Sequence, residues 1–282
     1  MSTQLRKVLG FWPVFGACFG IAISGSTVMM LGNVFAMAGM PIIFSQLISL
    51  GVMVLVVLAF AELSTMIAKV IGYETAAAVP NARRAVFFGT RHQFDPPTEL
   101  SAEHLVTPLA DGLDGEPGIA QELGFQSQKL VEKGATWEAL NQVFAPPAGT
   151  SPPAFLFTAS HGMVWSLSKP AEQRAAQGAL LCQDWPGFGK IAPGHYFSAG
   201  DLLKLQNARL AGLISFHFAC YSAGTPEDDR YLHKKGKKPP QIAPAPFIAA
   251  LPKALLSHPN GGALAVIGHV ERAWETSIAT PQ

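Results

Sequence analysis

The chain has 282 residues, 49% of them apolar, and a net charge of +1 at neutral pH, enough for one large domain or two smaller ones. A charge so close to zero gives no global attraction to nucleic acid, and that class of partner is set aside. The three cysteines, Cys18, Cys182 and Cys220, give neither a disulfide framework nor a paired zinc knuckle and suit a reducing, cytosol-facing compartment.

Charge is unevenly spread. Residues 8–61 contain no Lys, Arg, Asp or Glu, and most charged residues follow Glu62. An apolar stretch of that length exceeds the roughly 20 residues needed to span a bilayer and is enough for two spans. Ala38-Gly39-Met40-Pro41 breaks it, so the expectation is spans near 11–37 and 42–61, forming a transmembrane hairpin over residues 1–68. A cleavable signal peptide fits less well, because its apolar region is only about 7–15 residues long. Arg6 and Lys7 precede the first span, and Lys69, Arg83 and Arg84 follow the second, which puts both ends in the cytoplasm.

Residues 69–84 read as a linker, and 85–282 as the second domain. Ala85-Val86-Phe87-Phe88-Gly89 suits a buried strand. Residues 90–118, rich in Pro, Asp, Gly and Thr, read as mostly loop with a short turn near 101–105. Thr136 is placed to cap a helix that carries Trp137, Leu140, Val143 and Phe144 on one face and ends at Ala145-Pro146-Pro147. An apolar strand then runs into His161, a short helix opens at Asp201, and a second apolar strand runs into Cys220. Residues 226–246 read as an exposed loop. Its lysine cluster 234–238 has no interleaved aromatic residue, as a nucleic-acid surface would. A helix is expected over 247–258, kinked or restarted at Pro252, and a last strand over 263–268. No internal repeat or low-complexity tract is present. Apolar strands alternating with helical stretches predict an α/β fold, a three-layer domain with a mostly parallel sheet.

In such sheets function collects at the carboxyl ends of the strands, where His161 and Cys220 both fall. A cysteine nucleophile needs an imidazole to take its proton and backbone N–H groups to hold the oxyanion. Gly162 lets the backbone approach a substrate closely, and the N–H of Cys220 supplies a second donor. Singly, each residue has a plainer reading: a small buried hydrophobe for the cysteine, a surface or hydrogen-bonded residue for the histidine. His217, Cys220, Cys182, His195 and His269 are possible metal ligands, but strand alternation sets His217 and Cys220 on opposite faces. His269 and Glu271, after the last strand, are placed to line the same cleft as His161 and Cys220. No phosphate-cradling or dinucleotide motif is present, so no cofactor is expected.

Two resemblances follow. Gly10-Phe11-Trp12, Ile23-Ser24-Gly25-Ser26, Gly32-Asn33 and Ala61-Glu62-Leu63-Ser64-Thr65-Met66 resemble the first two helices of amino acid–polyamine–organocation permeases. That resemblance implies an unwound substrate-binding stretch at Ser24, Gly25 and Ser26. It covers about 68 residues, too few to enclose a transport site, so an anchor in the lipid bilayer is the simpler role. Phe157-Thr158-Ala159-Ser160-His161-Gly162, the block from Gly178 to Trp185, Phe216-His217-Phe218-Ala219-Cys220-Tyr221 with the turn after it, and the block from Gly261 to Val270 resemble the caspase-fold cysteine peptidases, nearest the gingipain-like and CHAT-type branches. This implies Cys220 as nucleophile, His161 as base, and Gly162 with the Cys220 backbone as oxyanion hole. It also implies substrate contacts from Asp184, which with the Glu227-Asp228-Asp229 cluster would favour a basic residue before the scissile bond. Domains of that family continue with a further strand and helix, so the sequence reads as cut short after Gln282 and as the product of a gene fusion.

The expectation is a membrane-anchored, caspase-like cysteine peptidase acting on a peptide or protein substrate, its C-terminal domain in the cytoplasm. The alternatives are a permease-related fragment and a catalytically inactive signalling module on a caspase-like scaffold.

Overall fold

Side-chain alternation along an interior strand sorts the domain into layers. In a computed structural model, which describes residues 41–76, 79, 81–229, 231 and 236–278, strand β1 (Ala82–Gly89) buries Val86 and Phe88 on one face and Ala85 and Phe87 on the other. Successive strand residues point to opposite faces, so a strand apolar at every position must be covered on both. On the first face Val86 and Phe88 pack with Leu156 and with side chains of α5 (Trp137–Phe144), α7 (Ala199–Lys204) and α8 (Ala250–Ser257). On the second, Ala85 and Phe87 pack with Phe157, Val106, Ala110 and Ala120. Those last three come from the π-helical turn Ala102–Val106 and from α3 (Thr107–Asp111) and α4 (Ile119–Glu122). The result is the expected three-layer α/β arrangement.

The sheet has five strands, all parallel. With β2 (Gln126–Val131), β3 (Pro153–Ala159), β4 (Ile214–Phe218) and β5 (Ala265–Gly268), the spatial order is β2-β1-β3-β4-β5. The direction of strand succession reverses between β1 and β3, so the loops leaving their carboxyl ends diverge and open a crevice there. In the register of β3 and β4, Ala159 lies opposite Phe218, and Ser160 N–H bonds to Phe218 O at 3.2 Å. The two strands therefore end side by side, which brings His161 and Cys220 to one rim.

Several expectations need correction. The stretch 90–118, read as loop, contains α2 (Pro96–Ser101), the π turn and α3. At the start of α2 the prolines cost no helical bond, because a first-turn N–H has no acceptor within the helix, and α3 continues directly from the π turn with Pro108 in its first turn. The expected helix over 247–258 is a two-residue strand, Phe247–Ile248, followed by α8. Pro252 lies in the first turn of α8 without breaking it. The helix capped by Thr136 is as expected: Thr136 Oγ1 accepts from Ala139 N at 3.1 Å.

By internal contacts the chain divides into Met1–Ser64 and Thr65–Gln282. Helix α1 (Pro41–Glu74) is 34 residues long and extends into the expected linker, which leaves only about seven residues before β1. Within the first unit it exposes Leu47, Ile48, Leu50, Val52, Met53, Val54 and Leu55, interrupted only by Ser49 and Gly51. Among the described residues no helix is long and apolar enough to cross a membrane. The first expected span and Ser24, Gly25 and Ser26 lie outside the described residues, so the two-helix hairpin is without support from the structure.

Candidate active site

The rim where β3 and β4 end is held together by backbone. A Cβ added to Gly162 would lie 1.8 Å from Cys220 O and 3.0 Å from Cys220 N, so only glycine allows the two chain segments to approach this closely. Gly162 also faces Leu180 in an isolated antiparallel bridge, in which the bonds are made by its neighbours: Leu181 N to His161 O at 2.9 Å and Met163 N to Ala179 O at 2.8 Å. The Gly162 N–H is turned away from that bridge. It has no acceptor among the described residues, and the Cys220 N–H is engaged by its own sulfur.

His161 and Cys220 line a single cleft, together with Thr98, Ser160, Phe218, Ala273 and Glu275. His161 Nε2 donates to Asp95 Oδ2 at 2.8 Å, which spends that ring nitrogen and leaves Nδ1 as the basic atom. Asp95 follows β1 and also accepts from Thr98 Oγ1 at 2.7 Å. The turn before it passes through Phe94, exposed and with φ at 62°. Burial works to raise the Asp95 carboxyl, but the bonds from His161 and Thr98 outweigh it and hold the group below its usual pKa of 3.8. His92, on the same loop, is buried against Trp185 with ring centroids 5.0 Å apart; burial lowers its pKa. Asp95 was not singled out in the sequence. Its signal is an Asp-Pro pair just past the end of an apolar strand, the mark of a helix start at a carboxyl rim.

Cys220 is half-buried, and its Sγ lies 3.8 Å from Ala273 O. Burial raises the thiol above its usual value of 9.0, and the backbone bond at Ala273 and the nearby Arg272 guanidinium oppose that shift without reversing it. Tyr221, with φ at 58°, turns the chain directly after the sulfur; its N–H bonds to Glu271 O at 2.7 Å and its hydroxyl accepts from Arg272 Nε at 3.3 Å.

The remaining sequence candidates fall elsewhere. Asp184 is exposed and accepts from Trp137 N–H at 2.6 Å, so it sits at the start of α5 and does not line the cleft. His269 packs edge-on against Phe218 with centroids 5.0 Å apart, and its N–H bonds to Ser222 Oγ at 3.0 Å. Glu271 lines a neighbouring apolar groove of about 390 Å³ with Ala223, Thr225, Phe247 and Ile248. Asp229 is paired with Arg272 at 2.6 Å and offers no free carboxylate for a basic side chain. His217 is fully buried between Thr158 Oγ1 and Ser215 Oγ. No group of three metal-ligating side chains occurs among the described residues.

Compared with known proteins, the chain matches no family model, and no curated protein or solved structure is significantly similar to it.

Proposed function

We propose that the protein is a cysteine peptidase of caspase-like architecture, with Cys220 as nucleophile and His161 as base, and that Asp95 completes the set. What supports this most is the single cleft that Cys220 shares with a carboxylate-oriented histidine, with the Gly162 backbone beside it. In this reading His161 Nδ1 takes the Cys220 proton and the thiolate attacks the peptide carbonyl carbon. The carbonyl oxygen becomes an oxyanion held by the N–H groups of Gly162 and Cys220. As the C–N bond breaks, the imidazolium returns the proton to the leaving amine and a thioester remains. Water, deprotonated by His161, then attacks the thioester; its collapse releases the acid and returns the proton to sulfur. Asp95 keeps the Nε2–H tautomer and stabilises the imidazolium that forms in each half.

We further propose that α1 anchors the domain to a lipid bilayer, with the second unit on the cytoplasmic side. Its stretch 42–61 has no charged residue, and the exposed side chains of 47–60 are apolar but for Ser49, which suits a helix surrounded by lipid better than one facing water.

A second reading, an inactive signalling module, is favoured by one observation: the Cys220 thiol is bonded to a carbonyl in a cleft that is nearly filled. An electrophilic thiol probe and a fluorogenic peptide mixture separate the two readings. The peptidase reading expects hydrolysis that is lost in Cys220→Ala and His161→Ala, and probe labelling lost in the first and strongly slowed in the second. Equal labelling of all three proteins removes it. Resistance to alkaline extraction from membranes tests the anchor, and full release into the soluble fraction overturns that part.

A further inference from the structure

The cleft that holds His161 and Cys220 has a free volume of about 30 Å³, room for a water or two and far too little for a polypeptide. One stretch of chain accounts for much of the filling. After β5, Ala273 sets its carbonyl against the Cys220 thiol, and Glu275 and Ile278 line the cleft beyond it. The turn Glu275–Ser277 packs against α2, the helix that opens next to Asp95. The segment thus crosses from the sulfur side of the cleft to the carboxylate side.

The two ends of this stretch are bound very differently. Up to residue 272 it is tied down: His269 O accepts from Ala223 N at 2.8 Å, Glu271 O accepts from Tyr221 N at 2.7 Å, and Arg272 Nη2 bonds to the buried Asp229 at 2.6 Å. Beyond residue 272, the hydrogen bonds described to the rest of the domain reduce to the long one from Cys220 Sγ to Ala273 O, and the Trp274 ring rests edge-on against Tyr231 with centroids 6.0 Å apart; the other bonds, from Ser277 and Ile278, are local to the turn. Glu275 Oε2 is buried in this portion with no donor among the described residues, a desolvated acceptor that regains water when the segment leaves. A firmly pinned base with a weakly held, partly frustrated distal part is how a hinged element is built.

We infer that residues 273–278 form a self-inhibitory strap: in this structure they occupy the cleft beside Cys220, and they must swing away, hinged near Arg272, to admit a substrate. Lifting the strap removes the steric block over the sulfur. This inference rests on Cys220 being the nucleophile, but its test reads the thiol and not hydrolysis.

The experiment is alkylation of the full-length chain by a small reagent, iodoacetamide, and by a bulky one, a biotin maleimide, with the modified cysteine identified by peptide mapping. Ile278→Ala weakens the distal grip and is expected to speed bulky labelling of Cys220 roughly threefold to tenfold. Ile278→Asp should speed it further. Glu275→Leu removes the orphaned carboxylate, strengthens the closed form, and is expected to slow labelling by a similar factor. Cys182, fully buried, is the internal control, since it is labelled only when the domain opens as a whole. If Ile278→Asp exposes Cys182, the Ile278→Ala and Glu275→Leu pair decides. Labelling of Cys220 at the wild-type rate in both of these, or changes of the same sign in both, overturns the strap. Faster Cys220 labelling with no peptide hydrolysis in any variant would leave the strap standing and count against the peptidase reading alone.

Discussion

One domain offers two kinds of place for a histidine and a cysteine, the rim of the sheet and its interior. At the rim, His161 gives Nε2 to Asp95 and keeps Nδ1 unspent, while Cys220 faces a cleft. In the interior, His217 has both ring nitrogens engaged, Nδ1 with Thr158 Oγ1 at 2.9 Å and Nε2 with Ser215 Oγ at 2.8 Å. Cys182 is likewise enclosed, its thiol turned to Leu180 O at 3.5 Å, and burial drives its pKa far up. The comparison teaches that neither residue type nor strand position decides which pair can react. The number of hydrogen-bonding atoms still unspent, and whether water reaches them, decides it.

The sharpest way to break that comparison is at Asp95. Asp95→Asn keeps the size of the side chain but removes the charge that stabilises an imidazolium and fixes the ring tautomer. Peptide hydrolysis, measured as kcat, is expected to fall by roughly 10²- to 10⁴-fold. His217→Gln, altering the interior histidine, should leave kcat near the wild-type value as long as the protein is folded. Similar losses in both variants would mean that rim and interior do not differ in the way described.

The interior has its own signature, in stability against pH. Burial lowers the pKa of His217 from 6.5 to about 4. The folded protein keeps this ring neutral where the unfolded chain already binds a proton, so stability is intact above pH 6.5 and is lost as pH falls toward 4. Between pH 7.5 and pH 4.5 the loss is roughly 2–3 kcal/mol from this residue. His92 and His269, both lowered by burial, act in the same direction, so the measurement is the difference between wild type and His217→Gln in urea unfolding at each pH. Parallel curves for the two proteins would show that His217 is not the buried neutral group.

Gly162→Ala tests the rim from its backbone. The new Cβ would fall 1.8 Å from Cys220 O, and the atom in its way is main chain, which cannot rotate aside. Separation of the two strand ends is expected to cost roughly 1–3 kcal/mol of stability and to remove the reactivity of Cys220. Normal stability with normal labelling would show that the two segments are not locked together there.

What the sequence made legible, and what it hid, follows the same division. Strands β3 and β4 were visible because both their faces are covered and most of their residues are apolar, Thr158, Ser215 and His217 excepted. Strand β2, Gln126–Val131, was not, because an edge strand that is half exposed carries Gln, Ser and Lys and has no pattern to betray it. The helices of 96–111 were hidden by their own prolines, which read as loop residues until burial of Val106 and Ala110 against the sheet shows the turns that carry them. His161, Gly162 and Cys220 could be proposed as a set because each ends or follows an apolar run. Asp95 could not, since its link to His161 spans 66 residues and exists only once the carboxyl ends of β1 and β3 are neighbours. Asp184 is the reverse case: an acidic residue in a suggestive block, which the structure sets at a helix end.

That residue gives the smallest effect and a clean control. The Asp184 carboxylate accepts the Trp137 N–H at the first turn of α5, where the helix leaves donors unpaired and its dipole favours negative charge. Thr136 Oγ1 caps the same end through Ala139, so the turn keeps one of its two side-chain acceptors when the other is removed. Asp184→Ala is therefore expected to cost about 1 kcal/mol, a fall in Tm of roughly 2–4 °C for a domain of this size. Asp184→Asn, which retains an acceptor, should cost less. Neither change should alter the rate at which Cys220 is alkylated or the preference among peptides with basic and neutral residues before the scissile bond. A lost preference for basic residues with unchanged Tm would return Asp184 to the substrate site and move the boundary between rim and scaffold.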